Sequence, residues 1–242
     1  MAFSRRRKAV LTALLVYWPV IFVVTHWPEI PDWIYQAHVS DKSAHFIAYL
    51  ALVCLWWFSI SPHKKVNWGR TPVWWTLLVM VWYGAFDEWL QVYVGRTADV
   101  SDFLANLAGT TTGLVLLSIL NFWPASVIVT GTIIFVATNL SRVSMAYLLP
   151  TPSAIFHLFA YAFFAILWLQ YLQRFSSLRA PGRKWIVCAS ALPIGFLSAV
   201  KLFTLITDRN PATADILSAA AGIVVVVGTF YFAALSRQRQ PG

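Results

Sequence analysis

The sequence predicts an all-α polytopic membrane protein: eight transmembrane helices in two parallel four-helix repeats, with both termini in the cytoplasm. Three observations carry that prediction. Apolar residues make up 59% of the 242 and charged residues only 11%, with a mean hydropathy of +0.67, whereas soluble domains are nearer half apolar and a quarter charged. The apolar residues gather into runs about as long as a hydrocarbon core requires. All of the acidic residues fall on one side of those runs.

The runs are roughly 9–27, 44–60, 73–94, 103–121, 126–140, 154–172, 185–206 and 216–235. The first follows Arg5, Arg6, Arg7 and Lys8, as a secretory signal would. No small-x-small cleavage site comes after it, and Trp18-Pro19 and His26-Trp27 stand in its place, so it reads as a retained helix. The second and fifth runs are short, which tilt or a thinned bilayer can accommodate. Tryptophans at the run ends (Trp27, Trp56, Trp57, Trp68, Trp74, Trp75, Trp123, Trp185) read as interface anchors. Pro19 and Pro193 are expected to kink the first and seventh helices, and Pro28 and Pro150 to Pro152 to punctuate loops. Cys54 and Cys188 lie inside apolar runs and read as small buried hydrophobes rather than a disulfide.

Charge sets the orientation. With the N-terminus inside, the cytoplasmic segments hold Arg5 to Lys8, Lys64, Lys65, Arg70, Arg174, Arg179, Arg183, Lys184, Arg237 and Arg239. The remaining basic residues, Lys42, Arg96, Arg142, Lys201 and Arg209, lie on the outer side with all nine acids: Glu29, Asp32, Asp41, Asp87, Glu88, Asp99, Asp102, Asp208 and Asp215. The net charge of +9 therefore reads as topology and not as a nucleic-acid surface. Polar chemistry belongs to the outer face.

A repeat runs at a spacing of 112–113 residues. Ile21-Phe22-Val23-x-Thr25 recurs as Ile134-Phe135-Val136-x-Thr138, His45 and Tyr49 as His157 and Tyr161, and Arg96, Asp102 and Gly109 as Arg209, Asp215 and Gly222. Two units are thus expected, residues 1–122 and 123–242, parallel because each holds an even number of helices. They are unequal. Asp41 aligns with Ser153, Asp87 and Glu88 with Val200 and Lys201, Gln91 with Thr204, and Asn106 with Ala219. The second unit keeps the frame and loses the carboxylates, so one active site would lie in the first.

That site is expected at the outer ends of helices two to four. Asp41, His45 and Tyr49 are spaced i, i+4, i+8; Asp87 and Gln91 share a helix face; Asp102, Asn106, Gly109 and Gly113 line another, its glycines admitting a close neighbour. Arg96 and Asp99 occupy the short turn between helices three and four. Taken singly, Asp102 reads as a helix cap, Arg96 as the partner of Asp87 or Asp99, His45 as a helix-end histidine and Gln91 as an interhelical hydrogen-bonder. Adjacent acids late in an apolar helix favour function for the set, because packing alone would not select them. His26 and His38 receive no role.

Three uses of such a site stay open. The carboxylates could hold a divalent cation through oxygen ligands, the metal binding a lipid phosphate or pyrophosphate. His45, Asp87 or Glu88 could act as general acid or base on a lipid head group. Lys42 and Arg96 could bind an anionic head group without chemistry. No Walker, HExxH, GxSxG or CxxC motif is present.

The order Asp41-Lys42-x-x-His45-Phe46-x-x-Tyr49, Asp87-Glu88-x-x-Gln91, Gly95-Arg96 with Asp99, Asp102, Asn106 and Gly109-x-x-x-Gly113 resembles the VanZ-like family of bacterial membrane proteins. The resemblance spans about residues 10–122, one four-helix unit, and the second half looks like a degenerate copy. It implies a bacterial inner-membrane location and an envelope role, since the founding member contributes to teicoplanin resistance and relatives occur near cell-envelope and exopolysaccharide functions. It marks Asp41, Lys42, His45, Tyr49, Asp87, Glu88, Gln91, Arg96, Asp102 and Asn106 as the positions that matter and assigns them no reaction.

The leading expectation is action on a lipid or lipid-linked saccharide in envelope biogenesis or glycopeptide tolerance, with Asp41, His45, Asp87 and Glu88 as candidate catalytic groups. Lys42, Tyr49, Gln91, Arg96, Asp99, Asp102 and Asn106 would bind the substrate. One rival is a non-catalytic scaffold knitted by the same residues. Another is a small lipid transporter or flippase, which the duplication suggests but the scarcity of polar residues at mid-membrane (Thr110, Thr111, Thr112, Ser198) disfavours.

Overall fold

The computed structural model describes residues 5–26, 41–139, 150–207 and 211–238. Of the residues interpreted above, Trp27, Pro28, Glu29, Asp32, His38, Arg142, Asp208, Arg209 and Arg239 lie outside them. The described residues form eight long helices and no strand: α1 Arg5–Thr25, α2 Asp41–Ile60, α3 Thr71–Gln91, α4 Val100–Ile119, α5 Phe122–Asn139, α6 Pro150–Phe175, α7 Arg183–Ile206 and α8 Thr213–Gln238. A 3-10 turn, Val92–Val94, follows α3 and ends at Gly95, whose φ of 80° suits glycine.

Seven of these helices are long and apolar enough to cross a membrane. The exception is α3, equal in length to α1 but carrying Trp74, Trp75, Trp82, Trp89 and the Asp87-Glu88 pair. Indole is amphipathic, so a tryptophan-rich helix scores less apolar than its packing would suggest. Outward faces are oily throughout, with Leu15, Trp82, Phe159 and Val224 all more than two-thirds exposed. Only lipid makes that surface inexpensive. The chain is a multi-pass membrane protein.

Pro150 and Pro152 prove to be first-turn residues of α6 rather than loop punctuation. A helix's first N–H groups have no intrahelical acceptor, so proline there removes nothing the helix needs. Pro72 does the same for α3. Pro19 and Pro193 lie within α1 and α7 as expected.

The described residues divide into two compact units, the first ending at Ala125 and the second beginning at Ser126. In the first, α2 and α4 run in the same direction in close contact. A Cβ on Gly109 would overlap the carbonyl oxygen of Phe46 and come within 3.1 Å of the Leu50 nitrogen. Backbone therefore packs on backbone, the geometry that small residues permit between membrane helices. Gly113, one turn on, faces the Val53 side chain. In the second unit α6 and α8 make the same contact: a Cβ on Gly222 would overlap the Leu158 carbonyl oxygen and come within 3.1 Å of the Ala162 nitrogen.

Charges in the first unit match the direction of α2 and α4. Their N-terminal ends carry Asp41 and Asp102, where anions complement the helix dipole. At their C-terminal ends the Arg7 Nε–H donates to Ser59 O at 2.8 Å, and the Lys65 ammonium donates to Ile119 O. Orphan carbonyls are thereby capped by cations. The buried faces follow the same polarity. On α3 Val73 and Met80 occupy one end and Asp87, Glu88 and Gln91 the other; on α4 the sequence runs from Asp102 and Asn106 to Leu114 and Leu117. One end of the unit is dry and the other polar.

Gly109→Ala should lower stability by about 1–3 kcal/mol, because backbone must move to admit the methyl. Gly113→Ala should cost less, since it meets a side chain, and Gly228→Ala, which meets open space, should be neutral or slightly stabilising. Thermal unfolding of the purified variants in one detergent gives the order.

Candidate functional site

Four chain segments meet at the polar end of the first unit: the last turn of α1, the first turn of α2, the last turn of α3 with the turn after it, and the start of α4. Arg96 ties three of them. Its guanidinium donates to Thr25 O at 3.0 Å and to Asp41 Oδ2 at 3.0 Å, while its backbone N–H returns to Gln91 O. Arg96 thus caps the C-terminus of α1 and neutralises Asp41, where the sequence had offered Asp87 or Asp99 as its partner. Asp99 caps α4 by accepting from the Ser101 N–H at 2.8 Å. Lys42, 60% exposed, stands at the rim, 3.7 Å from Asp99 and 4.0 Å from Asp102.

Beneath this rim lies His45, 3% exposed. Its Nδ1 lies 2.9 Å from Asn106 Oδ1, a contact across the α2–α4 seam one turn from Gly109. The same nitrogen is 3.7 Å from Glu88 Oε1, and Nε2 is 3.7 Å from Asp41 Oδ1. Asp87 is completely buried and receives the Thr25 hydroxyl on Oδ1 at 3.4 Å, with His26 Nδ1 3.8 Å from the same oxygen. Glu88 Oε2 accepts the Asp99 N–H at 3.4 Å. The sequence's catalytic candidates Asp41, His45, Asp87 and Glu88 therefore gather around one imidazole, with Asn106 beside it, and Asp102 joins through Lys42.

Tyr49 and Gln91 are brought to the same end but buried to 1%. Tyr49 lies one turn deeper, its ring 5.8 Å from that of Tyr83 and above Gly84. Several buried polar atoms here have no hydrogen-bond partner among the described residues: Asp87 Oδ2, Glu88 Oε1, Asp102 Oδ1, Gln91 Nε2, Asn106 Nδ2 and the Tyr49 hydroxyl. A buried polar group left unpaired costs about 1–3 kcal/mol, and more for a charge.

Residues 4–121, which contain this whole constellation, match the family model described as VanZ/LLP1. The first unit belongs to the VanZ/LLP1 family. No curated protein and no solved structure matches the chain.

The second unit, outside that match, holds a contrasting set. Ser153 Oγ donates to Asp215 Oδ1 at 2.9 Å, and His157 Nδ1–H donates to Ser153 O at 2.8 Å. His157 Nε2 is then free to accept from the Lys201 ammonium at 3.4 Å, and the Thr204 hydroxyl donates to Val200 O at 2.9 Å. A cation stands at the position aligned with Glu88. Every polar side chain in this group except the Tyr161 hydroxyl has a partner. The unit's open groove, about 420 Å³ among Val127, Phe135, Phe164 and Phe196, is apolar.

Two residues without a role in the sequence reading reach this polar end. His26 falls outside the repeat, yet its side chain is 8% exposed and its Nδ1 lies 3.8 Å from Asp87 Oδ1. Thr25, whose only sequence signal is its recurrence as Thr138, donates its hydroxyl to Asp87. Removing Arg96 (Arg96→Gln) should destabilise the first unit by about 1–2 kcal/mol through the lost pair and the uncapped carbonyl. Lys42→Gln should stay within about 0.5 kcal/mol, its ion pairs being solvent-exposed. Thermal unfolding in detergent separates the two.

Proposed function

We propose that the VanZ/LLP1 unit engages the head group of a lipid or lipid-linked saccharide at the outer leaflet of the bacterial cytoplasmic membrane, in envelope biogenesis or glycopeptide tolerance. The observation that carries this reading is the set of unpaired carboxylate oxygens on Asp87, Glu88 and Asp102. A scaffold whose polar residues only knit helices would pair them with one another, as the second unit's Ser153, His157, Lys201 and Asp215 are paired. Arg96 and Lys42 at the rim supply cations for an anionic group, and His45 with the buried acids lies one turn below. The segregation of acids and bases along the sequence supports the orientation. The second unit is read as a degenerate copy that keeps the frame, with Gly222 on Leu158 as Gly109 is on Phe46.

Asp87→Asn and His45→Ala should each abolish a teicoplanin-tolerance or envelope-integrity phenotype while membrane expression and thermal unfolding stay near those of the parent. His157→Ala should leave the phenotype in place. Normal tolerance in the first two variants would overturn the reading. Loss of tolerance only in proportion to loss of folded protein would hand the case to a scaffold.

A further inference from the structure

We propose that His45, Asp87 and Glu88, with the Asn106 amide oxygen, form a binding site for one divalent transition-metal ion. The proposal rests on the polar end of the first unit being a functional site and names what occupies its deepest part. One donor atom from each of His45, Asp87 and Glu88 falls within 4.8 Å of the other two, and all three side chains are buried.

The free atoms point to a ligand. Asp87 Oδ2 and Glu88 Oε1 have no partner among the described residues, on side chains 0% and 6% exposed. The other oxygen of each carboxylate is held from behind, Asp87 Oδ1 by the Thr25 hydroxyl and Glu88 Oε2 by the Asp99 N–H. Each carboxylate is thus anchored by one oxygen and keeps the second without a hydrogen bond, as metal-ligating carboxylates do, Glu88 Oε1 standing 3.7 Å from His45 Nδ1.

Separations agree with coordination better than with hydrogen bonding. His45 Nδ1 and Glu88 Oε1 are 3.7 Å apart, too far for a hydrogen bond. Two donors about 2.1 Å from one tetrahedral ion lie roughly 3.4 Å from each other. Asn106 Oδ1, 2.9 Å from Nδ1, lies at the spacing of adjacent donors on an ion of higher coordination number. With the metal on Nδ1 the imidazole proton resides on Nε2, which faces Asp41 Oδ1 at 3.7 Å. Asp41 is itself fixed by Arg96. Asp41 would close from this separation to hydrogen-bond distance on Nε2 when the ion binds, the arrangement that orients ligating histidines.

Charge requires a cation here and the protein's own are engaged elsewhere. Arg96 serves Thr25 and Asp41, Lys42 serves Asp99 and Asp102, and the sequence from 27 to 40 contains neither Lys nor Arg. The aligned position in the second unit carries Lys201, whose ammonium meets His157 directly. A fixed ammonium there and a divalent ion here answer the same electrostatic need. One imidazole among oxygen donors favours Mn²⁺ or Zn²⁺ over Ca²⁺.

The full chain, purified in detergent and stripped with EDTA, is titrated with MnCl₂ and with ZnCl₂, and bound metal is read by mass spectrometry. One ion per chain is expected. Asp87→Asn and Glu88→Gln, near-isosteric changes whose folding is checked by thermal unfolding, should each weaken binding by at least about 100-fold, and Asp41→Asn by about 10–100-fold. Pulsed electron paramagnetic resonance of the Mn²⁺ form should show nitrogen coupling from one imidazole, absent in His45→Gln, while His157→Gln binds as the parent does. The inference is overturned by less than a tenth of an ion per chain in the parent, by parental affinity in folded Asp87→Asn and Glu88→Gln, or by loss of the ion in His157→Gln. Because metal content is read directly, a metal-free protein whose Asp87→Asn variant still loses tolerance would sink this inference and leave the lipid-site reading standing.

Discussion

Contact between the backbones of α2 and α4 at Gly109 is the constraint from which the first unit's architecture follows. With no Cβ between them, the two helices come close enough for a side chain one turn back on α4 to reach across the seam, and His45 meets Asn106 there. In lipid no hydrophobic force drives helices together, so close approach and interhelical hydrogen bonds must do it. Parallel direction follows from the seam, and with it both N-termini arrive at one end. That end then favours anions and the other favours cations, which is where Asp41, Asp99 and Asp102, and Arg7 and Lys65, are found.

Polarity along the unit has an energetic logic. At the dry end side chains such as Leu114 and Leu117 are exposed by 1% or less, and the cations there, Arg7 and Lys65, are held on helix-end carbonyls. At the polar end five carboxylates, Asp41, Asp87, Glu88, Asp99 and Asp102, compete for two permanent cations, Lys42 and Arg96, both on the rim. The rim pairs form first because Arg96 also satisfies an α1 carbonyl. Asp87 and Glu88, deeper, are left with a hydroxyl and a backbone N–H, the His26 ring standing 3.8 Å from Asp87 and the His45 ring 3.7 Å from Glu88. Two adjacent acids are thereby held where solvent is least able to screen their charge.

Much of this was legible in the residues. Helix number and approximate bounds followed from apolar runs, and the cluster of Asp41, His45, Asp87, Glu88 and Asn106 followed from helical spacing plus the expectation that the outer ends of helices two to four meet. What was not legible has physical causes. His26 lies beyond the last regular turn of α1, where periodicity stops carrying information. The partner of Arg96 depended on which of three acids its long side chain could reach, and rim geometry, not sequence distance, chose Asp41. Proline at 150 and 152 looked like a loop because helix starts and loops tolerate proline for the same reason, an N–H that no helix bond needs.

The two units together bear on why the first keeps an unneutralised pair of acids. Each has a histidine on the helix that meets a glycine, a tyrosine one turn deeper and an aspartate at the start of the partner helix. In the second, Lys201 comes to 3.4 Å from His157 and Ser153 closes on Asp215. The second unit satisfies its frame internally with Ser153, Val200 and Lys201 where the first carries Asp41, Asp87 and Glu88, so the frame by itself does not demand the two adjacent acids. Strained or unsatisfied groups persist where they serve a bound species rather than the fold, and here Glu88 Oε1 stands 3.7 Å from His45 with Asp87 in the same cluster.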